Sequence, residues 1–308
     1  MKDIDAPTDP TLLTWRYVRV ALVALVLLIF ASVGIEFTKV GHFLTSISDY
    51  YYTPVRSCFV GALLGVAACM ICLRGSTTAE DTLLNLAGML APVVAFVPTP
   101  NSPVCTPAPG EPCAYDISNN ILALVIVTLL VLAFALALVR HSREGHKPSA
   151  AAIRSLALAV ALCTLGLLAF LLARTQLERY GHYTAAVAMF ACIFLVALSN
   201  AGGYRDHKQT REEAATRIAW MVKNPYSWIA AVMVIASLAI LFAWLATDSP
   251  YMILAIEAVL IGVFGVFWAI QTRDLWDDGL RPVSPSARFL PAVTRRTGLL
   301  VGRTHART

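Results

Sequence analysis

Long apolar stretches separated by short polar segments follow one another from residue 17 to residue 270. Each stretch is apolar on every side and shows no polar face at helical spacing. Because a helix of roughly 20 such residues crosses the hydrocarbon core of a bilayer, the pattern predicts an all-α, polytopic transmembrane helix bundle. The eight predicted spans are residues 17–35, 57–73, 83–98, 121–139, 156–173, 183–200, 228–246 and 252–270.

Composition supports the membrane interpretation. The 308 residues are 58% apolar and 14% charged, whereas soluble domains are about 45–50% apolar and about 25% charged. The mean hydropathy is +0.68, so the chain carries more apolar surface than one soluble core could bury. This balance excludes an ordinary soluble domain.

The placement of Lys and Arg predicts the orientation. Of the 24 basic residues, 19 fall in the two terminal segments and in loops on the same side, and Arg19 lies at the same end of the first span, which leaves Lys39, Arg56, Arg174 and Arg179 for the other side. Since cytoplasmic loops retain positive charge, we expect both termini in the cytoplasm and the protein in the plasma membrane.

The chain is predicted to form one helical unit. Residues 1–16 are a cytoplasmic segment, 17–270 form the eight-helix transmembrane domain, and 271–308 are a basic, largely disordered cytoplasmic tail. Within a cytoplasmic loop, a capping box of Thr210 and Glu213 opens an amphipathic helix over about 210–223. The basic loops and tail predict contact with anionic lipids of the inner leaflet, and we expect no nucleic-acid partner.

Two cysteines suggest a disulfide on the outer side. Cys105 and Cys113 lie in a loop at 98–120 that has no Lys or Arg, and disulfides persist in oxidising compartments. The alternative is a pair of free thiols.

A short polar segment before the second predicted span carries the most unusual chemistry. Residues 45–56 contain hydroxyls, an acid, three consecutive tyrosines and a base. One interpretation is an aromatic belt at the level of the lipid headgroups. The other is a binding site for a polar headgroup or a small ligand, for which the candidates in this segment are Ser46, Ser48, Asp49, Tyr51, Tyr52 and Arg56.

Glu257 and His182 complete the candidate ligand site. Glu257 lies inside the last predicted span, on the order of 10 Å from its outer end. A carboxyl group there should be protonated, paired or exposed to a wet cavity. Arg56 is the basic residue best placed to pair with it, and His182 is predicted at the same face.

Other motifs are few. The chain has no H-E-x-x-H or Walker sequence, so we predict neither a metal nor a cofactor. Gly61 and Gly65 form a GxxxG that permits close helix packing, within the chain or in a homodimer.

Two resemblances follow from these residues. The sequence SISDYYYT at 46–53, with FVG at 59–61 and LAG at 86–88, resembles a group of uncharacterised bacterial multi-pass membrane proteins, which implies a shared fold but supplies no activity. A fainter similarity is to the intramembrane hydrolases that include alkaline ceramidases and progestin/adipoQ receptors. The Ser-x-x-x-His element of that superfamily falls on Ser48 and Tyr52, so its histidine is absent here.

These observations leave the activity open and assign no catalytic residue. The leading hypothesis is an outward-facing polar pocket formed by the 46–56 segment, His182 and Glu257, which binds a lipid headgroup or a small molecule. The alternatives are a hydrolase-like enzyme with Ser48 or a metal-bound water as the attacking group, a transporter with Glu257 as its proton-coupling group, and a structural role.

Overall fold

A computed structural model of the chain describes residues 10–99, 117–141, 150–209, 224–247 and 249–276. Every regular element in these ranges is helical, which confirms the predicted all-α class. The helices are α1 (Pro10–Val40), a 3₁₀ helix (Ser48–Tyr52), α2 (Arg56–Cys72), α3 (Thr78–Phe96), α4 (Ile117–His141), α5 (Ala150–Leu172), α6 (Arg174–Gln209), α7 (Pro225–Ala246) and α8 (Met252–Asp274).

The helices have the length and composition of membrane spans. Within the described ranges, seven of them are long and apolar enough to cross a bilayer. The remaining one, α2, has 17 residues and is shorter than the others. These features are those of an integral membrane protein, whereas the count of eight spans, the side of the termini and the plasma-membrane location stay predictions.

Six helices form a closed ring. Going round the ring, α1 contacts α2, α2 contacts α3, α3 contacts α6, α6 contacts α7, α7 contacts α8, and α8 returns to α1. The main apolar core lies inside this ring. Helices α4 and α5 pack on each other and against α3 from outside.

The outer pair exposes apolar surface to its surroundings. On α4, Leu130 and Phe134 are each 65% exposed, and on α5 Leu172 is 80% exposed. Such a surface would be unfavourable in water and is the expected lipid-facing surface of a membrane helix.

Helix ends follow from local sequence. Gly41 has a φ of +81° and ends α1, because only glycine adopts this left-handed conformation without strain. Thr77 caps α3 by accepting from Glu80 N, and Asn224 caps α7 by accepting from Tyr226 N. The Asn224 side chain also donates to the Ala201 carbonyl over 2.8 Å, which ties α7 to α6.

Small residues set the closest helix contacts. A Cβ on Gly88 of α3 would lie 2.9 Å from the Ala67 carbonyl oxygen of α2, and a Cβ on Gly65 of α2 would lie 2.8 Å from the Leu25 side chain of α1. Gly61 faces open space. Gly65 therefore serves packing within the chain, and a homodimer through Gly61 and Gly65 stays a prediction.

Three predicted features lie outside the described residues. They are the Cys105–Cys113 disulfide, the amphipathic helix at 210–223 and most of the C-terminal tail.

Candidate functional site

Four parts of the chain meet at the end of the ring where α8 begins. They are the segment between α1 and α2, the residues after α3, the first part of α6 and the first part of α8. Their polar side chains form what we call the Glu257 cluster, whose members are Thr45, Ser46, Ser48, Asp49, Thr99, His182 and Glu257.

The segment 41–52 is held against α8 by its backbone. The Thr45 carbonyl accepts from Leu254 N over 2.9 Å, and so satisfies a first-turn N–H of α8 that has no partner within the helix. The Ser46 hydroxyl accepts from Asp49 N over 2.9 Å and opens the 3₁₀ helix. These contacts aim the Ile47 and Ser48 N–H groups at α8.

The Glu257 carboxylate binds this segment with both oxygens. Its Oε2 accepts from Ile47 N over 2.5 Å and from Ser48 N over 3.2 Å. Its Oε1 lies 2.7 Å from Ser48 Oγ. Glu257 is about 8 Å along the helix axis from the first residue of α8. Three donors there offset much of the cost of placing a carboxyl group at this depth.

His182 reaches the same hydroxyl from α6. Its Nε2 lies 2.9 Å from Ser48 Oγ, and its Nδ1 lies 2.7 Å from the Val97 carbonyl oxygen. A carbonyl oxygen only accepts, so Nδ1 carries a hydrogen and donates it to Val97. Nε2 can therefore either accept a hydrogen bond from the Ser48 hydroxyl or, when it is protonated, donate one to it. The His182 side chain is 2% exposed.

Two hydrogen arrangements satisfy this chain of three groups equally well. In the first, Glu257 is ionised, Ser48 donates to it, and a doubly protonated His182 donates to Ser48. In the second, Glu257 is protonated and donates to Ser48, which donates to a neutral His182. Ser48 has one hydroxyl hydrogen, so its orientation reverses between the two states. The geometry thus places the Ser48 hydroxyl within hydrogen-bond distance of both Glu257 and His182, with a consistent hydrogen arrangement for either protonation state.

Asp49 contributes a second carboxylate to the cluster. Its Oδ2 accepts from the Thr45 hydroxyl over 2.5 Å and its Oδ1 from the Thr99 hydroxyl over 3.2 Å. The side chain is 5% exposed. Two hydroxyl donors therefore hold this acid in place beside the Glu257–Ser48–His182 chain.

The predicted ion pair between Arg56 and Glu257 is wrong. All hydrogen bonds of Glu257 with the described residues are to Ile47 and Ser48, while the Arg56 guanidinium lies 5.1 Å above the Tyr51 ring. Backbone N–H groups and a hydroxyl satisfy the carboxylate in place of the cation. The Tyr51 and Arg56 candidates therefore lie together, apart from the carboxylate.

The aromatic-belt interpretation is also wrong for two of the three tyrosines. Tyr50 and Tyr51 are 1% and 4% exposed, so they pack in the core and do not face headgroups. Burial raises the pKa of Tyr50, and the phenol oxygen accepts from Leu44 N. Tyr52 is partly buried and its hydroxyl donates to the Thr99 carbonyl over 2.8 Å, which fixes the residues after α3.

The structure therefore joins five of the eight ligand-site candidates: Ser46, Ser48, Asp49, His182 and Glu257. Their polar atoms are directed at one another. Sequence reasoning missed Thr45, Thr99 and the Val97 carbonyl, which hold two of these side chains in position.

A second buried polar group lies at the opposite end of the ring and was also missed. Arg19 of α1 donates to Gln271 of α8 over 2.8 Å, Gln271 donates to Asn200 of α6 over 2.7 Å, and Asn200 donates to Glu80 of α3 over 2.7 Å. Each of the four is 4% exposed or less. We call this the Glu80 cluster. It links four helices and balances one positive charge with one negative charge through two amides.

The signals for the Glu80 cluster were present in the sequence. Thr77-x-x-Glu80 is a capping box that starts α3 one turn before the predicted span. Arg19 lies inside the first apolar stretch, where a charged side chain needs a buried polar partner.

No group of three His, Cys, Asp or Glu side chains suited to a metal ion lies among the described residues. Comparisons with protein-family models, with curated proteins and with solved structures found no match to this chain.

Proposed function

We propose that this integral membrane protein exchanges protons through the Glu257–Ser48–His182 chain, as a proton-coupled transporter does. The observation that carries the proposal is the position of Ser48 Oγ, 2.7 Å from Glu257 Oε1 and 2.9 Å from His182 Nε2. Two titratable groups that share one reorienting hydroxyl can pass a proton without moving any heavy atom far.

All three groups of the chain lie within the protein. Ser48 and His182 are 5% and 2% exposed, and Glu257 is partly buried with its carboxyl group turned toward Ile47 and Ser48. The two titratable groups of the chain are therefore Glu257 and His182, with Ser48 between them. Helices α6 and α8, which carry these two residues, also carry Asn200 and Gln271 of the Glu80 cluster. A shift of α6 relative to α8 would therefore change the contacts in both the Glu257 cluster and the Glu80 cluster.

The test uses purified protein in liposomes that contain a pH-sensitive dye, with the proton as the probe. We expect an imposed pH gradient to drive a flux that depends on the protein, and we expect Glu257→Gln and Ser48→Ala to reduce it to the rate of empty liposomes. Glu178→Gln is the matched control, because Glu178 is a partly exposed acid on α6 paired with Arg174. Equal flux in wild type and Glu257→Gln would refute the proposal.

A second candidate function is hydrolysis with Ser48 as nucleophile. The observation that favours it is the 2.9 Å contact between Ser48 Oγ and His182 Nε2, the distance at which a histidine can act as general base. Against it, Glu257 occupies the Ile47 and Ser48 N–H groups that could otherwise stabilise an oxyanion.

A fluorophosphonate probe separates the two functions. Attack by Ser48 would form a P–O bond and release fluoride, and mass spectrometry would locate the adduct on Ser48. The proton-exchange proposal expects no labelling of Ser48 in the folded protein. Labelling that is lost in His182→Ala would favour the hydrolase.

A further inference from the structure

A groove runs between α1 and α8 at the end of the ring that holds the Glu80 cluster. It has a volume of about 610 Å³ and opens outward, within the range of about 300–1,000 Å³ typical of ligand sites. Its walls are mainly apolar. They include Val20, Val23, Ala24 and Leu27 of α1, and Ala269 and Arg273 of α8, with Trp276 just beyond the helix.

The walls of the groove are fixed by contacts on its closed side. Arg19, which faces inward next to Val20, donates to Gln271 over 2.8 Å. Farther along, a Cβ on Gly265 would lie 2.9 Å from the Val26 side chain, so α1 and α8 approach closely there. At the rim, Arg16 Nε donates to the Trp276 carbonyl over 2.7 Å. The groove is therefore preformed and does not depend on a bound molecule to hold it open.

The rim differs from the walls in charge. Arg273 is exposed and makes no hydrogen bond or ion pair with the described residues. The Arg16 guanidinium lies 4.8 Å above the Trp276 ring. Arg273 is about 32 Å along α8 from the first residue of that helix, close to the thickness of the hydrocarbon core, and tryptophan is common at that boundary. A basic rim thus lies where headgroups are, and an apolar channel lies where acyl chains are.

We propose that this groove is a binding site for one anionic phospholipid. An acyl chain lies along Val20, Val23 and Leu27, and the phosphate binds Arg273, with Arg16 adding positive charge. The carbonyl end of α8 alone would repel an anion, so the two arginines are what make the rim favourable to a phosphate. Charge complementarity is the reason to choose an anionic lipid over a neutral one.

The experiment measures lipid binding to the full chain in detergent by native mass spectrometry. Phosphatidylglycerol is titrated against phosphatidylcholine with the same acyl chains. Arg273→Gln removes the rim charge, and Ala24→Phe fills the groove without changing charge. The matched controls are Arg140→Gln and Ala133→Phe, an exposed arginine and an exposed alanine on α4.

We expect wild type to bind one phosphatidylglycerol in preference to phosphatidylcholine. Arg273→Gln should weaken that binding about fivefold, the size expected for one basic residue near a phosphate. Ala24→Phe should weaken both lipids, and neither control should change binding. If Ala24→Phe does not fold, Arg273→Gln still decides the matter.

Three results would overturn the proposal. The first is equal binding of the two lipids to wild type. The second is an equal effect of Arg273→Gln and Arg140→Gln, which would mean a general attraction to basic residues. The third is a change from dimer to monomer in Ala24→Phe with lipid binding unaltered, which would mean that a second copy of the chain fills the groove.

Discussion

His182 Nδ1 donates to the Val97 carbonyl oxygen over 2.7 Å, and this contact fixes which ring nitrogen of His182 faces Ser48 as the titratable one. With Nδ1 fixed as a donor, only Nε2 can change its protonation, and Nε2 faces Ser48. The carbonyl plays the orienting part that a carboxylate plays for many active-site histidines. Glu257 contacts the Ser48 hydroxyl and makes no direct hydrogen bond to the His182 ring.

Glu257→Gln should keep the fold. The amide oxygen can accept from the Ile47 and Ser48 N–H groups, and the amide nitrogen can donate to Ser48 Oγ. We expect the free energy of unfolding to change by about 1 kcal/mol or less. Glu257→Ala should cost roughly 1–3 kcal/mol for each N–H left unpaired. Thermal unfolding in detergent compares the two. Equal loss of stability in both variants would show that these hydrogen bonds do not hold the segment.

Ser48→Ala should break the hydrogen-bonded link between Glu257 and His182. The substitution removes the only hydroxyl that contacts both side chains, so His182 Nε2 and Glu257 Oε1 each lose a partner among the described residues. We expect destabilisation of roughly 1–3 kcal/mol. The same substitution in a Glu257→Gln background should cost a different amount, because residues in one hydrogen-bond network are not additive. Simple additivity would contradict the network.

Asn200→Ala should lower the stability of the protein by breaking the Glu80 cluster. Asn200 connects Glu80 to Gln271, and its loss leaves a buried carboxylate oxygen and a buried amide short of one contact each. We expect a cost of roughly 1–3 kcal/mol and a coupling with Gln271→Ala of at least about 0.5 kcal/mol. A double-mutant cycle measured by unfolding in detergent gives the coupling. A coupling near zero would show that the two side chains act independently.

Glycine substitutions should separate packing positions from open ones. Gly88→Ala brings a methyl group within 2.9 Å of the Ala67 carbonyl, and this backbone atom can yield only if α2 and α3 move apart. We expect a loss of roughly 1–3 kcal/mol. Gly61→Ala is the control, since nothing lies within 4 Å of its added carbon. A similar Tm for the two variants would contradict the α2–α3 contact.

The helices could be predicted from the sequence because hydropathy is a local property. Seven long apolar helices are present in the described residues, and their exposed leucines follow from the same composition that predicted the spans. What could not be predicted is which helices meet. The contact of α1 with α8 closes the ring, and no periodicity of either helix encodes its neighbour.

The candidate site was predicted in its residues but not in its contacts. Ser48, His182 and Glu257 were identified from their chemistry and their common membrane face, and the structure joins them. Arg56 was chosen as the partner of Glu257 because opposite charges attract. Backbone N–H groups, which every residue except proline carries, give no signal in the sequence, and two of them bind Glu257 instead.

The Glu80 cluster was missed for a related reason. Asn200 and Gln271 lie at the ends of predicted spans, where polar residues are normally attributed to loops. The actual helices extend beyond those limits, since α6 ends at Gln209 and α8 at Asp274. Asn200 and Gln271 therefore lie within the helices and are buried in the ring, where they contact each other.

The measurement that tests the shared proton most directly is the protonation of the two His182 ring nitrogens, followed by ¹⁵N NMR as pH is changed. A His182→Gln sample assigns the signal. In wild type, Nδ1 should stay protonated while Nε2 changes its protonation with pH. In Glu257→Gln, the amide donates to Ser48 and Ser48 donates to Nε2, so Nε2 should remain an acceptor over the pH range in which wild type changes. The same Nε2 titration in wild type, Glu257→Gln and Ser48→Ala would contradict the account.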